Sequence, residues 1–222
     1  EGLELNVDKL VKKRLSWFDC IPSCPRRDPI KEETYYKAFS ILKGNILSAE
    51  GRIKRLWTTP DRIPHKNMWL WDSVFHSIAL KYISPKLAFS AMEAVLNGQR
   101  EDGFLPHMIT PYTSSAITQP PLLAWGIWNL YTLTKDKTML EKTYDKLKKY
   151  IEWDEKNRDR NRNSLPEWFI EGNVNCRSGE SGMDNSPRFD HAKDMDAVDF
   201  STFLANDMDC LRKMASELGN IQ

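Results

Sequence analysis

The segment GESGMDNSPRFD, residues 179–190, holds the side chain best suited to acid–base chemistry. Asp184 stands there among glycines, Asn185 and Pro187, a composition too irregular for a helix surface and too rich in small residues for a packed core. A carboxyl group in such a loop can approach a substrate closely. To act as a general acid it must stay protonated near neutral pH, which requires desolvation or a nearby negative charge. The alternative is a solvated aspartate bonded to the backbone of its own turn.

A tryptophan-rich segment, MWLWDSVFH at residues 68–76, has the residue types of a sugar pocket. Asp72 directly follows Trp71 and begins a predicted helix, with His76 one turn further on the same face. Sugar rings pack their C–H faces on indoles, and their hydroxyls bind carboxylates or amides. We therefore expect a polyol site here. The alternative for Asp72 is a structural role, in which it only accepts backbone N–H bonds at the start of the helix.

A third group of polar residues lies in GQREDGFLPHMI and the following TQPPLLAWGIW, which contain Asp102, His107 and Gln119. The amide of Gln119 can donate and accept at once, as a vicinal diol requires, and the two prolines after it hold the backbone still. Gln119 has a structural alternative, closing the first turn of the next helix. For His107 we prefer the interpretation of an ordinary loop histidine.

Helical spacing of apolar residues dominates the rest of the chain and predicts an all-α fold without strands. The predicted helices cover 3–17, about 31–50, about 72–83, about 86–98, a stretch that opens at Pro120 and Pro121, 138–151, and about 199–218. The charged run 152–162 is interpreted as the solvated end of a helix. The three long connections, 51–71, 99–119 and 158–191, carry the motifs above, and loops of that length in a compact domain are usually functional or disordered.

Composition excludes several functions. The 222 residues carry 32 Lys+Arg against 31 Asp+Glu, so a net charge of +1 predicts neither a nucleic-acid nor an anionic-membrane partner. Apolar stretches fall far short of the roughly 20 residues of a membrane span. No signal peptide is visible, and the few cysteines and the lack of glycosylation acceptors favour the cytoplasm. Neither a zinc nor a calcium spacing is present, so we expect no metal and no cofactor. The 8 tryptophans favour a ligand with apolar faces.

Four segments, in this order, resemble the catalytic domain of glycoside hydrolase family 63: RLWTTPDRIPHKNMWLWDSVFHSIAL, EDGFLPHMI, TQPPLLAWGIW and ESGMDNSPRFD. The resemblance spans roughly residues 30–220 and looks nearest to the glucosylglycerate and mannosylglycerate hydrolases and the small α-glucosidases. It implies an (α/α)6 barrel that hydrolyses α-glucosidic or α-mannosidic bonds with inversion, and it assigns the general acid to Asp184. The sugar-binding positions that it implies are Trp69, Leu70, Trp71, Asp72, Gln119 and Gly182.

The chain departs from the family at one point, because no counterpart of the family's general-base glutamate, which lies near the carboxyl end of the barrel, precedes Gln222. We therefore expect residues 1–222 to form one domain with about the first half of the barrel helices, and residues 1–30 to form a peripheral helix and loop. The expected partners are a small saccharide or glycoside and a carboxyl-terminal half, from the same gene or a second chain.

Three alternatives remain open at this point. The first is a catalytically incomplete carbohydrate-binding fragment or one chain of a two-chain assembly. The second is a trehalase-like hydrolase, which would use the same acid and aromatic pocket. The third is that the base lies within the chain, in which case Glu167, Glu171 and Glu180 are the candidates.

Overall fold

The computed structural model describes residues 6–25, 28–173 and 175–219, and its regular structure is mainly helical. Seven α-helices lie in this part of the chain: α1 (Val7–Leu15), α2 (Pro29–Gly44), α3 (Leu70–Leu80), α4 (Pro85–Leu96), α5 (Leu123–Thr134), α6 (Lys137–Arg158) and α7 (Val198–Leu218). Short 3-10 helices occur at Phe18–Cys20, Gly179–Ser181 and Pro187–Phe189. Each α-helix overlaps a predicted one, and the fold is helix-rich as expected. The first residues of the predicted helix 3–17 lie outside the described ranges.

The prediction that the chain contains no strand is wrong. Strand β1 (Ile46–Leu47) pairs antiparallel with β2 (Trp57–Thr58), and β3 (Met68–Trp69) pairs antiparallel with β4 (Met108–Ile109). Strands of two residues are too short to show an alternating pattern, so the sequence carried no signal for them. The second pair matters for the site, because it joins the tryptophan-rich segment directly before α3 to the loop that follows α4.

Helix starts follow local capping chemistry. The hydroxyl of Ser84 accepts the N–H of Leu87 at the start of α4, where Pro85 occupies the first helical position. Asp136 does the same for α6 by accepting the N–H of Thr138. Predicted ends were less accurate. Helix α2 ends at Gly44 rather than near residue 50, because the Asn45 amide donates to the Pro60 carbonyl at 2.8 Å and the chain then pairs as β1.

The charged run 152–162 is not simply a solvated helix end, and that interpretation is corrected. Helix α6 continues to Arg158, and Asp154 within it is 0% exposed. Burial raises the pKa of Asp154 well above its usual value, because the buried site disfavours the charged carboxylate. Arg158 is also turned inward, where it pairs with Glu180. The ion pair between Arg158 and Glu180 joins the end of α6 to the loop that contains Asp184.

Helix α5 lies at the centre of the packing and contacts α3, α4, α6 and α7. Its buried side chains include Leu123, Ile127 and Leu130. Gly126 lets α3 and α4 approach closely, since a Cβ there would lie 2.7 Å from the Val74 side chain and 2.8 Å from the Met92 sulfur. The close packing places the start of α3 and the segment before α5 side by side.

Within the described ranges, no helix has both the length and the apolarity that crossing a bilayer requires. The same residues contain no group of three or more His, Cys, Asp or Glu side chains arranged to hold a metal ion. All four cysteines are free thiols.

Candidate active site

A cleft of about 480 Å³ opens where the tryptophan-rich segment, the segment before α5 and the loop after α6 meet. Most of the residues singled out in the sequence line it together: Trp69, Trp71, Asp72, Gln119, Gly182 and Asp184. The remaining lining residues are Pro60, His65, His107, Ile117, Glu171, Cys176 and Gly179. The fold thus brings to one surface residues that lie more than a hundred positions apart in the chain.

Gln119 is fixed in the cleft by the first turn of α3. Its side-chain carbonyl accepts the backbone N–H of Trp71 at 3.1 Å, and its side chain is almost fully buried. This bond replaces a side-chain cap that α3 lacks locally. Because the oxygen of the amide faces the helix, the NH₂ group is the part of Gln119 left to donate to a ligand in the cleft. The structure therefore narrows the predicted donor–acceptor role of Gln119 mainly to donation.

Gly182 packs its backbone directly on the indole of Trp71. Its φ of +67° lies in the left-handed region, and a Cβ at this position would lie 2.3 Å from two ring carbons of Trp71. Only glycine meets both conditions without strain. The contact fixes the distance between the Trp71 ring and the following part of the loop, which carries Asp184.

The other wall is made of partly buried polar and aromatic groups. Asp72 is half-buried, and burial raises its pKa above the usual value. The ring of Trp69 meets that of His107 edge to face, with centroids 5.2 Å apart. Burial lowers the pKa of His107, whose Nδ1 lies 2.6 Å from the Ser115 hydroxyl. His107 therefore lies in the cleft wall as a neutral ring near neutral pH, although no functional role was expected for it from the sequence.

Asp184 is exposed on the cleft side of its loop. Its backbone carbonyl accepts the N–H of Arg177 at 2.8 Å, which pins the main chain at this point. Among the described residues, the backbone N–H groups of Arg177 and Ser178 donate to the backbone carbonyl of Asp184, and none donates to its carboxylate, which is the bond that the alternative of a self-bonded turn aspartate requires. The carboxyl group is free to meet a ligand.

The three glutamates differ in their access to the cleft. Glu167 and Glu180 are buried, and their carboxylates are bonded to Arg160 and Arg158 respectively. Of these three, Glu171 alone lines the cleft, where it accepts the Gly179 N–H at 2.8 Å.

Glu171 also accepts a hydrogen bond from the thiol of Cys176, at 3.0 Å. Burial, with the adjoining Glu171 carboxylate, raises the pKa of Cys176 to about 12, so this sulfur stays a thiol. The sequence indicated a free thiol without a site role for Cys176 and gave Glu171 only as an alternative base. The signal available was their place in the connection 158–191.

Besides Glu167 and Glu180, three further candidates from the sequence lie outside the cleft lining. Leu70 is 1% exposed, with its side chain in the core, and only its backbone N–H reaches towards the site by donating to the His107 carbonyl. His76 faces Thr58, with its Nδ1 2.9 Å from that hydroxyl. Asp102 accepts the indole N–H of Trp153 at 3.1 Å on a different surface.

This fold and cleft are those of a glycoside hydrolase domain, because residues 65–220 match the model of one such family. The match covers more than half of the chain. The chain therefore belongs to the family described as the mannosylglycerate hydrolase MGH1-like glycoside hydrolase domain. The resemblance to family 63 found in the sequence is confirmed for this part of the chain.

Curated relatives have related names. The chain is 28% identical over 159 residues to mannosylglycerate hydrolase MGH2 of Selaginella moellendorffii, an alignment that covers 61% of this chain and 31% of the relative. It is 26% identical over 191 residues to the glucosylglycerate hydrolase of Mycolicibacterium hassiacum, covering 70% of this chain and 40% of the relative. The chain thus spans well under half the length of these relatives.

A solved structure shares the fold. The chain superposes on the GH63 mannosylglycerate hydrolase from Thermus thermophilus, solved in complex with glucose, with a TM-score of 0.67 at 22% identity. The superposition covers 82% of this chain and 57% of that one. At this identity the comparison supports the helical fold, and more than a third of the solved chain has no counterpart here.

Proposed function

We propose that this chain supplies the general acid and part of the sugar pocket of an inverting glycoside hydrolase for α-linked glucosides or mannosides. The observation that carries the proposal is the cleft in which Trp71, Gln119 and Asp184 meet, in a chain of the glycoside hydrolase family given above. The names of the curated relatives make glycosides of glycerate the first substrates to test.

In this proposal the sugar lies with a C–H face on the indoles of Trp69 and Trp71. Its hydroxyls bond to Asp72 and to the amide NH₂ of Gln119, which the bond to α3 holds in one orientation. Asp184 donates its proton to the departing glycosidic oxygen. The residues present bind the sugar and hold the proton, and the reaction needs no cofactor or metal.

Inversion also requires a second carboxylate about 6.5–9.5 Å from the acid, which activates water on the opposite face of the sugar. We propose that this base comes from a carboxyl-terminal half that completes an (α/α)6 barrel, because the chain spans only 57% of the solved chain that it resembles. In this proposal residues 1–222 form the amino-terminal part of the barrel domain, with residues 1–30 at its periphery.

Replacing Asp184 tests the acid. We expect Asp184→Asn in the complete enzyme to lower kcat on a glycerate α-glycoside by about two or more orders of magnitude, because the amide cannot supply the proton. KM should change little, since the side chain keeps its size. Steady-state kinetics on purified protein measure both constants.

Asp190→Asn is the matched control, because Asp190 lies in the same loop, pairs with Arg177 and does not line the cleft. We expect it to keep near-normal turnover. Normal turnover by Asp184→Asn would remove Asp184 from the mechanism. Saccharide binding by the complete wild-type protein without any turnover would instead support the carbohydrate-binding alternative.

A further inference from the structure

We propose that Glu180 is the positioning residue that holds the loop carrying Asp184 against the segment carrying Gln119. The proposal deepens the function proposed above and rests on it. Glu180 does not line the cleft, and its side chain is 0% exposed. Its role is therefore to act through its neighbours rather than to touch a sugar.

The carboxylate of Glu180 ties together segments that are distant in the chain. One oxygen accepts the backbone N–H of Thr118 at 3.1 Å, and the other accepts that of Phe169 at 3.0 Å. Arg158, at the end of α6, donates to both oxygens in a bidentate ion pair, with its Nε at 2.9 Å. Each oxygen thus accepts one backbone N–H and one guanidinium N–H, and a bidentate pair of this kind also fixes direction.

The bond to Thr118 reaches the sugar pocket, because Thr118 directly precedes Gln119. The hydroxyl of Tyr150 donates to the backbone carbonyl of Gln119 at 2.9 Å and lies 2.7 Å from the Thr118 hydroxyl. Since the tyrosine proton is used on Gln119, the threonine hydroxyl donates to the tyrosine oxygen. Glu180 and Tyr150 together fix the main chain from which the Gln119 amide extends to Trp71.

Glu180 also determines where Asp184 can lie. It sits in the 3-10 helix Gly179–Ser181, four positions before Asp184. The intervening chain has little freedom, since Ser181 bonds to the Ser178 carbonyl at 2.8 Å and Gly182 rests on the indole of Trp71. A shift at Glu180 is therefore passed on to the acid.

Buried glutamates can be purely structural, and this chain contains a matched example. Glu167 is 1% exposed, and its carboxylate bonds to the Nε and the backbone N–H of Arg160. Arg160 pairs in turn with Asp194 and, among the described residues, bonds neither to Gln119 nor to residues 178–184. Glu167→Gln consequently shows what loss of a buried ion pair does on its own.

The test compares the Glu180→Gln and Glu167→Gln variants of the complete enzyme on two substrates. An amide offers one acceptor oxygen and turns an NH₂ group towards donors, so Glu180→Gln breaks two of the four bonds. If Glu180 positions the acid, kcat on an alkyl or glycerate α-glycoside falls at least tenfold, whereas hydrolysis of the α-glycosyl fluoride, whose leaving group needs little protonation, falls much less. Glu167→Gln should stay within about twofold on both substrates.

Assays run well below the unfolding temperature of each variant, with circular dichroism to show that it is folded. Equal losses on both substrates by folded Glu180→Gln would overturn the positioning of the acid, and no loss on either would overturn the positioning role as a whole.

Amide hydrogen exchange gives a second readout that needs no activity. We expect Glu180→Gln to speed exchange of the Thr118 and Phe169 N–H groups and across 178–184, and Glu167→Gln to leave them unchanged. If the complete wild-type enzyme hydrolyses no glycoside, the proposed function fails, and the exchange of these groups still decides whether Glu180 holds the two segments together. Unchanged exchange in Glu180→Gln would overturn that linkage.

Discussion

The cleft side chains work in contacting pairs. The side-chain carbonyl of Gln119 accepts the backbone N–H of Trp71, and the ring of Trp71 in turn packs against Gly182. The sequence resemblance named all three positions. It did not reveal that one residue orients the next, because such contacts join residues 48 or more positions apart and leave no spacing pattern.

Gly182 offers a test of this stacking. We expect Gly182→Ala to lower the free energy of unfolding by roughly 1–3 kcal/mol, because the new methyl group adds a clash with Trp71 to the cost of a left-handed residue. Since the indole and the acid loop must then move apart, kcat/KM on the glycoside should also fall at least tenfold. Thermal unfolding and steady-state kinetics measure the two effects.

Gly172→Ala is the control for backbone strain. Gly172 has a similar φ of +71°, and a Cβ there meets nothing within 4 Å. It should cause a smaller loss of stability and leave kcat/KM near normal. Equal losses of stability and of kcat/KM in the two variants would show that the contact of Gly182 with Trp71 contributes to neither.

Two helices at the centre of the fold obtain their capping groups from distant parts of the chain. In the first turn of α3, the Trp71 N–H donates to the side-chain carbonyl of Gln119. At the start of α5, the N–H groups of Ala124 and Trp125 donate to the carboxylate oxygens of Asp207 at 3.0 and 2.8 Å. Neither helix has a side-chain cap of its own.

Capping signals in a sequence lie within a few residues of the helix start. The sequence therefore predicted where these helices lie, but not the distant residues that cap them. The apolar spacing located all seven described helices, because burial of one face depends on local periodicity. The two strand pairs and the inward face of Asp154 arise from long-range packing, and the sequence alone did not predict them.

Asp207 makes stability depend on pH. Burial raises its pKa to about 7, so the native state binds more protons than the unfolded state between about pH 4 and 7. The contribution of Asp207 to stability is therefore greatest at acid pH and decreases as pH rises through this window, by about 1.4 kcal/mol per unit of pKa difference. Asp207→Asn cannot titrate.

We expect the stability of the wild type relative to Asp207→Asn to decrease from pH 5 to pH 8, measured by urea unfolding at each pH. Asp209→Asn is the control, because Asp209 lies on the same helix and pairs with Arg212 and Lys213 at the surface. A difference between wild type and Asp207→Asn that does not vary with pH would contradict the assignment.

At the scale of the molecule, the chain presents apolar side chains that have no cover within the described residues. Val7, Leu10, Val11 and Leu15 are exposed on α1, and Val198 at the start of α7 is 81% exposed. Exposed apolar surface of this kind favours association. It supports the proposal that further helices complete the barrel.

Sedimentation of the 222-residue chain alone checks this proposal. We expect the isolated chain to self-associate at micromolar concentration and to hydrolyse no glycerate α-glycoside, because the second carboxylate is missing. A monodisperse, active monomer would contradict the proposal and place the base within the chain. Of the three glutamates considered, Glu171 is then the first to replace, since it alone lines the cleft.

We propose that the carboxyl of Asp184 faces the glycosidic oxygen of a sugar held against Trp69 and Trp71. A crystal structure of the complete Asp184→Asn enzyme with an intact glycerate α-glycoside is the decisive measurement. We expect the side chain at position 184 to lie within about 3 Å of the glycosidic oxygen, with an indole on the face of the sugar. A side chain turned away from the saccharide, or a sugar bound outside the cleft, would contradict it.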